Sequence, residues 1–175
     1  MACTISSGRK VPCKSAVGGI KTIYLADYGT LGDATIVAGE ITTLSGTPDF
    51  FQFDVKGASS LETAINSSRE NGTTFYESTL TMALTFQDKA TQEQLKLITH
   101  ARPHVAIEDY NGNFFLIGLD HGAEVTGGSI TSGAGMGDAS GYNLTIVAQE
   151  TAPPYFITGS AILASASVVQ IDPTA

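Results

Sequence analysis

Two groups of residues have the types and spacing for chemistry. The first is a glycine-rich run over residues 127–141 that contains Gly133-x-Gly135-x-Gly137. Such a loop cradles a phosphate or dinucleotide when a strand precedes it and a helix follows, because backbone amides and the helix N-terminus then hold the anion. Here Tyr142, Leu144, Ile146 and Ala148 alternate with Asn143, Thr145, Val147 and Gln149, so the following segment reads as a strand. No Lys stands at the P-loop position, and the expectation is a connection between two strands.

The second group sets His104 near Glu108 and Asp109, and His121 beside Asp120 and Glu124. Buried together in a cleft, such pairs exchange protons. Both sets fall at turn boundaries, where side chains are usually solvated, and no Ser or Cys lies in a nucleophile elbow. The chain is therefore read as a non-enzyme without cofactor or metal. Cys3 and Cys13 are too few for structural zinc, and His100, His104 and His121 lack ligand spacing. Free thiols are expected, with a disulfide closing the N-terminal loop as the alternative.

The elements that would position these groups are mostly strands. Over residues 73–86, Tyr76, Leu80, Met82, Leu84 and Phe86 fall on one face and Glu77, Thr79, Thr81, Ala83 and Thr85 on the other, the pattern of a half-buried strand. The period changes at residues 89–101. Thr91 and Gln94 have capping-box spacing, Ala90, Gln94, Leu97, Ile98 and Ala101 share a helical face, and Pro103 ends the helix. Val105 and Ile107 resume strand alternation up to Asn111-Gly112, read as a two-residue hairpin turn with 114–119 as the return strand. Earlier strands are expected over 20–27, with Ile23 and Leu25 on one face and Thr22 and Tyr24 on the other, and over 35–44 and 50–56.

Residues 60–69 suit either period. Asn71-Gly72 and the strong strand after it favour a long hairpin with a polar tip over residues 67–73. Ala152-Pro153-Pro154 breaks regular structure. The expected architecture is mainly β: an antiparallel β-sandwich or partly closed barrel with one flanking helix at about 89–101. Residues 1–154 form a single domain that begins with a basic arm over 1–19, and 155–175 form an apolar C-terminal tail or an extra strand.

Composition narrows the function classes. Charged residues are 15% of the chain, against roughly 25% for an average soluble domain. A surface that short of charge is expected to be covered by other subunits. The net charge of −8 is polarised: Arg9, Lys10, Lys14 and Lys21 precede any acid, whereas residues 103–175 hold seven acids and no Lys or Arg. Gripping nucleic acid takes clustered cations, so the C-terminal three-fifths of the block over residues 73–150 is a poor candidate for binding DNA or RNA. Residues 1–14 lack the apolar core of a signal peptide, and the uncharged stretch 155–171 is too polar and short for a membrane span, so no membrane partner is expected.

Met1-Ala-Cys-Thr-Ile5, Pro12-Cys-Lys14, Val17-Gly-Gly-Ile-Lys-Thr-Ile-Tyr24, Asn71-Gly-Thr-Thr-Phe-Tyr-Glu77, Asn111-Gly-Asn-Phe-Phe-Leu116, His121-Gly-Ala-Glu-Val-Thr-Gly-Gly128, Gly137-Asp-Ala-Ser-Gly-Tyr142 and Ala148-Gln-Glu150 resemble structural proteins of tailed bacteriophages, most of all major tail tube proteins. The resemblance covers roughly residues 1–155. It implies a tail-tube-like sandwich assembled in hexameric rings, the rings stacked into a hollow tube, and the inner sheets joined into one barrel around a lumen through which DNA leaves the capsid. The protein would then reside in the virion tail, after synthesis in the host bacterial cytoplasm. Its partners would be itself and other tail proteins, and DNA would pass without specific binding.

On that reading Glu77, Glu108 and Glu124 are the candidate lumen-facing acids. Ser68, Arg69, Glu70, Asn71 and Gly72 form a candidate intersubunit arm. A separate expectation pairs Arg9, Lys10 and Lys14 with acids of a neighbouring subunit. The alternatives are a neck ring, tail terminator or capsid decoration protein and, from another class, a ligand-binding or enzymatic sandwich using the glycine-rich loop.

Overall fold

The computed structural model describes residues 7–10, 14, 16–55, 58–159 and 161. Eleven strands and one helix follow in chain order: β1 (Ile20–Ala26), β2 (Ala34–Val37), β3 (Glu40–Leu44), β4 (Phe51–Asp54), β5 (Ser60–Ser68), β6 (Thr73–Thr85), α1 (Lys89–Ile98), β7 (His104–Asp109), β8 (Phe114–Ile117), β9 (Glu124–Thr131), β10 (Gly141–Glu150) and β11 (Tyr155–Ile157). They form a seven-stranded sheet in the order β2-β3-β11-β8-β7-β1-β4 and a four-stranded sheet in the order β5-β6-β10-β9. The fold is mainly β with one helix, as expected. Neither sheet closes into a barrel, since each ends on two different edge strands. All strand pairs are antiparallel except β11 with β3.

One core lies between the sheets. Ile23, Leu25, Val105 and Ile107 of the seven-stranded sheet meet Leu80, Met82, Leu144 and Ile146 of the four-stranded sheet, with Leu95 of α1 beside them. These side chains come from alternate positions of each strand, so one face of each sheet is apolar by the two-residue period. A second core occupies the other face of the seven-stranded sheet, where Tyr24, Ala26, Ala106 and Leu116 pack with Leu31, Ile41, Phe50 and Ile157. The β2–β3 hairpin helps enclose it, turning through Ala38 (φ 54°) and Gly39 (φ 87°). Its far end is pinned where the Gly46 N–H donates to the Leu31 carbonyl at 3.0 Å. A Cβ at Gly46 would collide with the Thr30 carbonyl oxygen.

The second core bears on two parts of the sequence reading. Thr22 and Tyr24 are each 4% exposed, because β1 is covered on both faces rather than one. Tyr155–Ile157 forms the extra strand β11 inside the larger sheet, so the body continues past Pro154. Residues 160 and 162–175 of the expected tail lie outside the described residues, as do Cys3 and Cys13.

Local chemistry corrects four further details. The cap of α1 is Asp88, whose carboxylate accepts from the N–H groups of Ala90 and Thr91 at 3.0 and 3.2 Å, not the Thr91–Gln94 box. The helix ends at Ile98, short of 101, and it buries Leu95 while Leu97 stays 62% exposed. Between β7 and β8 only Gly112 takes a positive φ, and the Asp109 N–H bonds to the Asn113 carbonyl, so the loop has three residues rather than two. Phe86 leaves the apolar face of β6, taking φ 73° and standing 52% exposed.

Candidate assembly surface

Residues 60–68 settle as a strand, and β5 pairs with β6 from Ser60↔Thr81 to Ser68↔Thr73. β6 then pairs with β10, and β10 with β9. Because facing residues in a ladder point to the same side, the registers sort the whole four-stranded sheet into two faces. Leu61, Leu80, Met82, Leu144, Ile146 and Val125 point inward to the shared core. The outward face carries the row Glu62–Thr79–Val147–Glu124, next to it Ala64–Glu77–Gln149, and on the other side Ser60–Thr81–Thr145–Gly127 and Ala83–Asn143–Ser129. Small, hydroxyl and amide side chains dominate this face, the only charges in these rows are the carboxylates of Glu62, Glu77 and Glu124, and no Lys or Arg stands in them.

Glu77 and Glu124 are thus brought to one surface. Gln149 Nε2 donates to Glu77 Oε2 at 2.7 Å and holds that carboxylate along the sheet. At the rim, Arg102 Nε lies 3.9 Å from Glu124 Oε1 with both side chains more than half exposed. Such an exposed pair leaves most of the acidic field to the solvent. Glu62 belongs with them, and sequence reasoning missed it because its segment was ambiguous between helix and strand.

Glu108 does not join them. It lies in the seven-stranded sheet, where Lys21 Nζ donates to its Oε1 at 2.6 Å and the Tyr24 hydroxyl to its Oε2 at 3.3 Å. Hydrogen bonding and charge from Glu108 raise the Lys21 pKa above its ordinary value. Burial, with the Glu108 charge beside it, pushes the Tyr24 hydroxyl up to about 12. The cation that meets this acid is Lys21; Arg9, Lys10 and Lys14 are exposed.

The edges of the two sheets differ. The larger sheet ends on β2 and β4, four residues each, whereas the smaller ends on β5 and β9, nine and eight residues long. Long free edges are templates for pairing, and neither β5 nor β9 contains the Lys or Pro that usually blunts one. β9 does carry a register shift opposite Thr145/Ile146. At one end, β10 stops at Glu150 opposite Tyr76, so β5 and β6 continue alone as a ribbon from Asn66↔Phe75 to the tip at residues 69–72. This ribbon presents Ser68, Arg69, Glu70, Asn71 and Gly72, and Ile65 beside it is 68% exposed.

The chemical alternatives come apart in the same geometry. His104 is 3% exposed and its Nε2 accepts the Gly29 N–H at 2.9 Å. Its Nδ1 therefore carries the proton and donates to the Gly118 carbonyl at 2.6 Å. Burial lowers its pKa, with the Gly118 bond opposing, and neither Glu108 nor Asp109 is its partner. Asp109 instead accepts from the backbone and side-chain amides of Asn111 and Asn113 at 2.7–3.1 Å. Burial raises its pKa, but these bonds outweigh it and hold the carboxyl below its usual value.

His121 pairs with Glu150, whose Oε1 also accepts the Asp120 and His121 N–H groups at 3.0 Å each. In the glycine-rich run, residues 127–131 belong to β9, and the remaining loop is closed by Asp138, which accepts from Ala134 and Gly135 at 2.9 and 2.7 Å. Those backbone bonds lower its pKa. β10 follows, so the helix that a phosphate loop needs is missing at that position.

Among the described residues no group of three metal-ligating side chains is assembled, and no helix is long and apolar enough to cross a membrane. No protein-family model, curated protein or solved structure matches the chain.

Proposed function

We propose that the chain is the structural subunit of a phage tail tube, self-assembling into stacked hexameric rings whose four-stranded sheets join around an acidic-lined channel for DNA ejection. The observation that carries this reading is the four-stranded sheet itself, an acidic face without Lys or Arg in its strand rows, set between two long free edges. Its strands alternate in direction, so β5 and β9 run oppositely. A copy rotated about an axis along the sheet lays its β5 antiparallel to β9, and the alternation continues unbroken. Repeated by rotation, that heterologous contact closes a ring.

A ring of six such sheets has roughly 24 strands and, at about 4.8 Å per strand, a backbone radius of roughly 18 Å before strand tilt widens it. Carboxylates on its inner wall repel phosphate only within the screening length of about 8 Å, which prevents sticking without obstructing passage. Other copies and other tail proteins are the partners, DNA passes without specific binding, and the site of action is the virion tail.

Negative-stain electron microscopy of the purified protein at rising concentration tests the reading. Hollow tubes of stacked rings are expected. Single rings that never stack would move the assignment to a neck or terminator ring, and dispersed particles at every concentration would end it.

A further inference from the structure

The larger sheet is wider than its cover. One cross-strand row runs Val37–Glu40–Phe156–Phe115–Ile107–Ile23–Phe53 on the face that forms the shared core. Its Ile107–Ile23 half is buried, but Phe156 is 49% and Val37 57% exposed, and the Phe115 and Phe156 rings lie 4.8 Å apart at this open end of the row. The mirror situation holds on the β5–β6 ribbon. Ile65 and its cross-strand partner Tyr76 lie on the core-facing side of their sheet, yet Ile65 is 68% exposed, so the described residues leave it largely uncovered. Among the described residues, each sheet therefore has a piece of core face that stays largely exposed.

We propose that the Phe115–Phe156 strip receives the β5–β6 ribbon of a second copy of this chain, Ile65 and Tyr76 packing on the two rings and Arg69 meeting Glu40. The inference rests on the self-assembly reading and names a contact distinct from β9–β5 edge pairing. Charge and spacing both favour this occupant. β5 ends at Ser68, so Arg69 opens the tip within roughly 13 Å of Ile65, and Phe115 and Glu40 are separated by two strand spacings, roughly 10 Å across the sheet. An arginine side chain bridges the difference. The contact is heterologous, so each copy donates a ribbon and receives one.

The test uses full-length chains with Cys3→Ser and Cys13→Ser. A copy carrying Ile65→Cys is mixed with a copy carrying Phe156→Cys and treated with a short bis-maleimide, so any product joins two copies. A cross-linked dimer at least tenfold above that from Ile65→Cys mixed with the exposed helix variant Lys96→Cys is expected. Arg69→Glu in the donor should cut the yield severalfold, and Glu40→Arg in the receiver should restore it. A yield equal to the control overturns the contact, as does cross-linking that appears only after deletion of residues 162–175, which would make the chain's own tail the occupant. Tubes in the microscope without this cross-link leave the tube reading standing and remove the contact; the cross-link without tubes does the reverse.

Discussion

The two sheets of this protein share one core but differ in what they leave open. In the seven-stranded sheet β1 is covered on both faces, a second core lies behind it, and the edges are four residues long. In the four-stranded sheet one face is open, acidic and hydroxyl-rich, and the edges are nine and eight residues long. Elementary packing accounts for the middle of the first sheet within a single chain. The open face and long edges of the second make sense once other copies supply what the chain does not, which is the physical content of the tube proposal.

Substitutions can break or sharpen that contrast. The largest effect is expected in the shared core: Ile107→Ala, at a site 1% exposed, should cost about 2–5 kcal/mol in denaturant unfolding, because the rigid interior refills little of the cavity. Asp88→Ala should cost about 0.5–2 kcal/mol by freeing two amide donors at the start of α1. His104 gives the larger sheet a pH dependence whose sign follows from its lowered pKa. The unfolded chain binds the proton first, so stability holds above the ordinary value of 6.5 and falls as pH drops from there toward the folded pKa. Urea midpoints at pH 7.5 and 5.5 should separate more for the parent than for His104→Gln. On the open face the effect on stability should be smallest. Glu62→Lys with Glu77→Lys should stay within about 0.5 kcal/mol of the parent, yet confer DNA retention that fades with added salt in gel-shift assays.

How much of this was legible in the sequence depended on burial. β6 and β10 are covered on one side, so their alternation announced both the strand and its inward face. β1 announced its strand and its Ile23–Leu25 face in the same way, but Thr22 and Tyr24 gave no hint that a second wall would form behind them. Alternation in β7 could place Glu108 opposite Ile107 but could not say which sheet the strand would join. Its partner Lys21 lies 87 residues away. β11 slots between β8 and β3, a pairing set by tertiary packing and invisible to any local pattern. The Asp88 cap was readable, since a carboxylate immediately before the helix can satisfy its first amides, but Thr91 offered a competing signal one turn later. Of the candidate acids, Glu77 and Glu124 share the open face, and Glu62 joins them through a strand whose identity only its pairing with β6 resolves.

The central claim is that the free edges of β5 and β9 are intersubunit surfaces, and amide hydrogen exchange across a concentration series tests it most directly. The account predicts that amides in both edges exchange quickly in dilute protein and become protected together as assembly proceeds, while those of the short edges β2 and β4 do not change. Assembly that protects β2 and β4 and leaves β5 and β9 exchanging as before would contradict it.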